Sequence, residues 1–183
     1  MKIGSLIFAT SNEDKINEAE SILGIKVKGT SFEVEEIQSL DPAKVAFAKA
    51  KAYFKVLKTP LFVEDTSLAI EGLNGLPGTY VNDVTKVLDN AGLASLISGK
   101  SRKAMAQVTI VFVDSNLKEH LFVGKTYGTI AVSPKGDKGF GWDPIFIPKG
   151  QKQTFAEMDL NIKNKYSMRR KAFVAFRKWL SSQ

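Results

Sequence analysis

Cysteine is absent from the 183 residues, and histidine occurs once, at His120. The first absence removes disulfides, thiolate nucleophiles and cysteine metal sites together. The second rules out a multi-histidine zinc site and would force any Ser-His-Asp triad to use His120. That residue lies in Lys118-Glu119-His120-Leu121, alternating with apolar neighbours as an exposed strand residue does. Long hydrophobic runs are missing too: no stretch approaches the ~18 apolar residues of a membrane span. Met1 to Ser5 lead into the apolar segment Leu6 to Ala9, too short for a signal-peptide core and without a small-residue cleavage site. The expectation is a cytoplasmic protein with no membrane segment. Its chemistry must come from carboxylates, lysine, arginine, hydroxyls and a hard metal ion.

What is present fits one folded domain over 1–183, or two lobes sharing a core: 20.1 kDa, 44% apolar residues and a mean hydropathy of -0.08. Lysine and arginine number 26 against 19 acidic residues, for a net charge of +7. A basic excess of this size favours an anionic partner, whether nucleic acid, nucleotide or phosphate ester. Most lysines are scattered, as on a solvated surface. Between Asn161 and Lys171, however, there are five basic residues and no acidic one, a candidate anion site.

Along the chain, Ser5 to Thr10 reads as a buried strand, and Ile16, Ala19, Ile22 and Leu23 follow at helical spacing until Gly24. Asp41-Pro42 starts a helix over Ala43 to Leu57, with Val45, Ala48, Ala52 and Val56 on one side. Leu61-Phe-Val63 is a second buried strand ending at Glu64-Asp65-Thr66-Ser67. After a glycine-rich loop over Gly72 to Gly78, Val81, Val84, Val87 and Leu88 mark a helix, and a short one covers Leu93 to Ile97. Ala104 to Val113 and His120 to Ser133 form a hairpin, Ile145 to Ile147 a short strand, and Thr154-Phe-Ala-Glu157 has capping-box spacing. The last helix carries Ala172, Phe173, Phe176, Trp179 and Leu180 on one stripe. Strand-helix units followed by antiparallel strands imply an α/β fold, a long mixed sheet flanked by helices, with two lobes and a ligand cleft between them.

Two phosphate motifs fail. Gly99-Lys100-Ser101 ends like a P-loop, but Ala94 stands where the first glycine is needed. Gly136, Gly139 and Gly141 lack the dinucleotide-binding spacing. Three other segments carry chemistry. Thr10-Ser11-Asn12 with Lys15 would offer phosphate ligands at a strand-helix junction, although Ser-Asn is also an ordinary helix cap. Glu64-Asp65, at the end of an apolar strand, and Glu35-Glu36, on a polar loop, supply carboxylates that suit Mg²⁺ plus ligand phosphates, or mere solvated turns. Phe140-Gly141-Trp142-Asp143 could sandwich a flat base and bind its edge, or plug the core. With Lys163 and Arg169 these make a phosphate cradle, a metal site, a planar sandwich and countercharges.

In six ordered motifs the sequence resembles the inosine triphosphate pyrophosphatase family. They are Phe8 to Lys15, Glu36 to Ser39, Val63 to Leu68, Leu73 to Gly78, Gly139 to Phe146, and Thr154 to Met158 followed by Lys163-Asn164. The resemblance implies hydrolysis of non-standard purine nucleoside triphosphates (ITP, dITP, XTP) between the α- and β-phosphates, with Mg²⁺ as cofactor, in a homodimer. It assigns Thr10, Asn12 and Lys15 to the triphosphate, with Lys49 and Lys163 adding charge. Glu36 and Asp65 hold or position the metal, and Asp65 activates the water. Phe140 and Trp142 face the base, with Asp143 nearby; Ser11, Thr66, Gly141, Met168 and Arg169 complete the substrate-binding set.

Two positions depart from the family pattern. Ser167-Met168-Arg169 replaces the usual Ser-His-Arg, whose histidine belongs to base recognition, and Thr79-Tyr80-Val81-Asn82 replaces Pro-Tyr-x-Lys. A related pyrophosphatase with another base preference, and a non-catalytic nucleotide or nucleic-acid binding module, are the alternative readings. The intact acidic pairs favour the enzyme, because a polyanion binder gains nothing from Asp65 beside Glu64.

Overall fold

Runs buried on both faces, such as Leu61-Phe62-Val63 and Val108 to Val113, build the central strands. The computed structural model describes residues 5–183, so the reading of Met1 to Gly4 lies outside the described residues. The elements run β1 (Ser5–Ala9), α1 (Glu13–Leu23), β2 (Lys26–Thr30), α2 (Pro42–Leu57), β3 (Leu61–Ile70), β4 (Pro77–Gly78), α3 (Val81–Ser95), β5 (Lys103–Val113), β6 (Glu119–Ile130), β7 (Phe146–Pro148), α4 (Leu160–Tyr166) and α5 (Met168–Leu180). The sheet has the order β2-β1-β3-β5-β6-β7, with β4 paired to β3. β1 is parallel to β2 and β3, whereas β4 and β7 are antiparallel to their partners. The expected mixed α/β sheet is what forms. No helix among the described residues is long and apolar enough to cross a membrane.

The chain divides into two compact units. The first comprises the chain up to Asp65, Val108–Gly124 and Arg169–Gln183. On one face of its strands Phe8 stacks on Phe62 at 4.4 Å, and Phe173 and Phe176 of α5 pack edge-on to Phe62. Burying each of these rings contributes about 1.5–3 kcal/mol. On the opposite face Ala9, Leu61, Val63, Val111 and Val113 pack with Ala46, Ala50 and Tyr53 of α2. The second unit comprises Thr66–Gln107 and Lys125–Met168. There Phe146 meets Trp142 edge-to-face at 5.5 Å and Phe155 at 5.2 Å.

Several expectations change. β3 does not stop at Glu64 but continues to Ile70. The acidic pair therefore lies inside a strand, which is possible because Glu64 meets cations there. The buried side of α2 is Val45, Ala46, Ala50 and Tyr53, while Val56 is exposed. With so many alanines the helical phase is ambiguous in sequence, and Tyr53, donating its hydroxyl to the Phe32 carbonyl, accompanies the observed choice. The two helices expected over Val81 to Ile97 are present as two stretches of α3, divided by a kink at Asp89 (φ 53°, ψ −175°). The Asp89 carboxylate accepts the Gly92 N–H at 2.8 Å, an N-cap bond that restarts the helix. Thr154 and Glu157 make the reciprocal capping-box bonds, but on a turn rather than a helix start. His120 is not an exposed strand residue. Its ring lies 4.2 Å from Trp179 and its Nε2 is 3.0 Å from Asp114 Oδ2.

Candidate functional site

Adjacent residues of a strand point to opposite faces, and this separates Glu64 from Asp65. Glu64 shares the face of Phe62, next to α1 and the start of α5. Asp65 shares the face of Val63, next to α2. The two carboxylates meet different first partners, with Lys15 acting on both, and all of these groups belong to the first unit.

Glu64 is completely enclosed at its side chain and is held by Arg169 and Lys15. Arg169 Nε donates to Oε2 at 2.8 Å and Nη2 to Oε1 at 3.0 Å; Lys15 Nζ lies 3.0 Å from Oε1. Arg169 Nη1 also donates to Glu18 Oε2 at 3.0 Å. Burial alone would raise the Glu64 pKa, but the charges and hydrogen bonds of Arg169 and Lys15 bring it down to about 2. The same pairing, working against burial, raises that of Arg169. Arg169, which the resemblance puts in the substrate-binding set, is buried, at 4% exposure, in this ion-pair cluster.

Asp65 has the opposite balance. Burial pushes its pKa up to about 6; Lys49 and Lys15 pull it down, and Glu36 and Glu64 push it up. Its Oδ2 is buried without a hydrogen-bond partner among the described residues. Glu36, on the exposed segment before α2, pairs with Lys49 Nζ at 2.8 Å. Glu36 and Asp65 are thus close enough to act on each other electrostatically, as a shared ligand would require.

The turn between β1 and α1 is fixed by its own polar groups. Thr10 Oγ1 accepts the Asn12 N–H at 3.2 Å, and Asn12 Oδ1 caps α1 by accepting the Lys15 N–H at 3.0 Å. Ser11 is exposed. Capping uses the Asn12 carbonyl oxygen, whereas the group that could donate to a phosphate oxygen is its Nδ2 amide.

In the second unit, Asp143 Oδ2 accepts from Lys163 Nζ at 2.6 Å and from the Phe140 N–H at 2.9 Å. Lys163 Nζ also sits 5.4 Å from the Phe140 ring centroid, a cation–π arrangement. Gly139 makes this approach possible: its φ is +75°, and a Cβ there would collide with Asp143 Oδ2. The Gly141 carbonyl accepts from Asn90 Nδ2 at 2.9 Å. Trp142 departs from expectation. At 4% exposure it packs edge-to-face against Phe146, whereas Phe140 is part-buried and the more accessible of the two rings. Met168 is buried and Thr66 part-buried.

Residues 6–179 match the model of the Ham1 family. The chain belongs to the Ham1 family. It is 40% identical to the dITP/XTP pyrophosphatase of Thermococcus kodakarensis, over 96% of each chain. It is 37% identical to the inosine triphosphate pyrophosphatase of Batrachochytrium dendrobatidis, over 98% of this chain and 95% of that one. The structure of a Ham1 protein from Coxiella burnetii superposes with a TM-score of 0.85 at 25% identity, covering 98% of this chain and 99% of that one.

Among the described residues of this Ham1 chain, no three His, Asp or Glu side chains gather into a ready-made metal cage. A Mg²⁺ ion does not require one, since it binds through one or two carboxylates, waters and substrate phosphates. The orphaned Asp65 oxygen beside Glu36 fits that donor set. Glu18 was missed in the sequence, although it lies three residues after Lys15 and hence on the same face of α1. Glu64 was visible only as a neighbour of Asp65. An acidic residue in so apolar a strand calls for a buried cation, and the basic run at Asn161 to Lys171 contains it.

Proposed function

We propose that this chain hydrolyses non-standard purine nucleoside triphosphates, of the ITP, dITP and XTP type, to the nucleoside monophosphate and pyrophosphate. The observation that carries this reading is Asp65: a largely buried carboxylate, with one unpartnered oxygen, among Glu36, Lys49 and Lys15. The names of the Thermococcus and Batrachochytrium relatives support the substrate class.

Lys15 and the backbone N–H groups at the start of α1 bind the phosphates, and Lys49 offsets the charge that develops on the leaving pyrophosphate. Asp65, ionised above about pH 6, accepts a proton from the water that attacks the α-phosphorus. The bond from that phosphorus to the bridging oxygen breaks, and pyrophosphate departs. Glu36 and Asp65 would hold a Mg²⁺ ion, which would neutralise phosphate charge and make bound water more acidic. Phe140 stacks on the base, with Asp143 holding Lys163 against the ring. As the family resemblance implies, the protein acts as a cytoplasmic homodimer.

A pyrophosphate-release screen with Mg²⁺ over standard and deaminated triphosphates tests the reading. ITP, dITP or XTP should exceed ATP and GTP by at least about tenfold in kcat/KM. Equal rates on ATP would overturn the base assignment. Release of orthophosphate, or no release from any nucleotide, would overturn the reaction.

A further inference from the structure

We propose that Glu64 is the positioning residue for Lys15: it holds the lysine ammonium where the triphosphate binds, and does not itself touch substrate. This rests on the pyrophosphatase reading above. Glu64 is fully enclosed, whereas the Lys15 side chain is 21% exposed, so the 3.0 Å contact joins a buried anchor to a group that reaches the surface. Arg169 grips Glu64 through two parallel bonds and is itself braced by Glu18, which fixes the carboxylate in one orientation. An ammonium has three donors and can serve Glu64 and a phosphate at once. A lysine on a flexible four-carbon stem otherwise loses rotamer freedom when it binds. Anchoring it beforehand removes that loss. The alternation of β3 completes the arrangement. The neighbouring acidic residues divide the work, Asp65 toward the water and Glu64 toward a lysine that acts on both.

The chain of contacts predicts a specific coupling. In the substrate complex and in the transition state Lys15 meets the same phosphates, so its misplacement weakens both forms alike and shows in KM rather than kcat. Glu64→Gln should raise KM for ITP roughly tenfold, the size expected for one charge-assisted hydrogen bond, with kcat nearly unchanged. In a Lys15→Met background the same substitution should alter KM by no more than about twofold, because there is no ammonium left to position.

The experiment is this double-mutant cycle, read as KM and kcat for ITP with Mg²⁺, at a temperature where circular dichroism shows every variant folded. If Glu64→Gln does not fold, Glu64→Asp replaces it: the charge is kept for Arg169, the carboxylate withdraws from Lys15, and the same outcomes apply. A KM effect confined to the Lys15 background supports the role. Equal losses in both backgrounds, or a fall in kcat with KM unchanged, would overturn it. A wild-type protein that releases no pyrophosphate would instead defeat the pyrophosphatase reading itself.

Discussion

Asp65→Asn is expected to lower pyrophosphate release by roughly 10²–10⁴-fold, the range of a lost general base, while making the metal-free protein more stable at neutral pH. The two effects share one cause. Burial raises the Asp65 pKa from its ordinary value of 3.8 to about 6, so the folded protein binds a proton more tightly there than the unfolded chain does. Below about pH 4 both states are protonated and the group makes no difference. As pH rises through 6 the carboxylate must ionise in a buried setting, and stability falls. Allowing for its partial exposure, the penalty above pH 6 is on the order of 2 kcal/mol. Asparagine has the same shape and no charge. Urea unfolding at pH 7.5 should therefore favour the variant by about that amount, and the gain should vanish near pH 4. Adding Mg²⁺ should raise the melting temperature of the wild type and leave the variant unmoved. An active variant, or one less stable at pH 7.5, would contradict the assignment.

Arg169→Met is expected to destabilise the fold by about 3–5 kcal/mol, the usual consequence of leaving a buried charge unpaired. Glu64 loses both of its guanidinium bonds while its contact with Lys15 remains. The double variant Glu64→Met with Arg169→Met should recover most of the loss, because a buried pair replaced by apolar groups of similar size is often neutral in stability. The pH dependence has the opposite sign to that of Asp65. Glu64 is held at about 2 against an ordinary 4.5, so its contribution is complete above pH 4.5 and lost as pH falls toward 2. The gap between wild type and Arg169→Met should accordingly narrow in acid. Chemical denaturation at pH 7 and pH 3 checks both statements. A mild variant at pH 7 would mean that the cluster contributes little to folding.

Strands and most helices were legible because their signals are local. The apolar run of β1, the Asp41-Pro42 start of α2 and the Gly24 stop of α1 each depend on neighbours within a few residues. What escaped was set by partners far along the chain. β3 continues through two acids because Arg169, 105 positions away, meets the first of them. The phase of α2 depends on Tyr53 reaching Phe32, and alanine spacing cannot reveal that. Trp142 and Phe140 flank one glycine and look equivalent in sequence, yet one packs under Phe146 and the other faces Lys163. In the site, Asp65 and Glu36 were readable as acids on separate segments. Their different surroundings, and the division of labour between Glu64 and Asp65, follow from the strand pleat together with the helices on each face.

The most direct test of the account is hydrolysis of ITP in ¹⁸O-labelled water with Mg²⁺, with the products resolved by mass or by phosphorus NMR. Attack on the α-phosphorus, with Asp65 taking the proton, places the label in inosine monophosphate and leaves pyrophosphate unlabelled. Label in pyrophosphate, or in released orthophosphate, would place the attack elsewhere and contradict the mechanism.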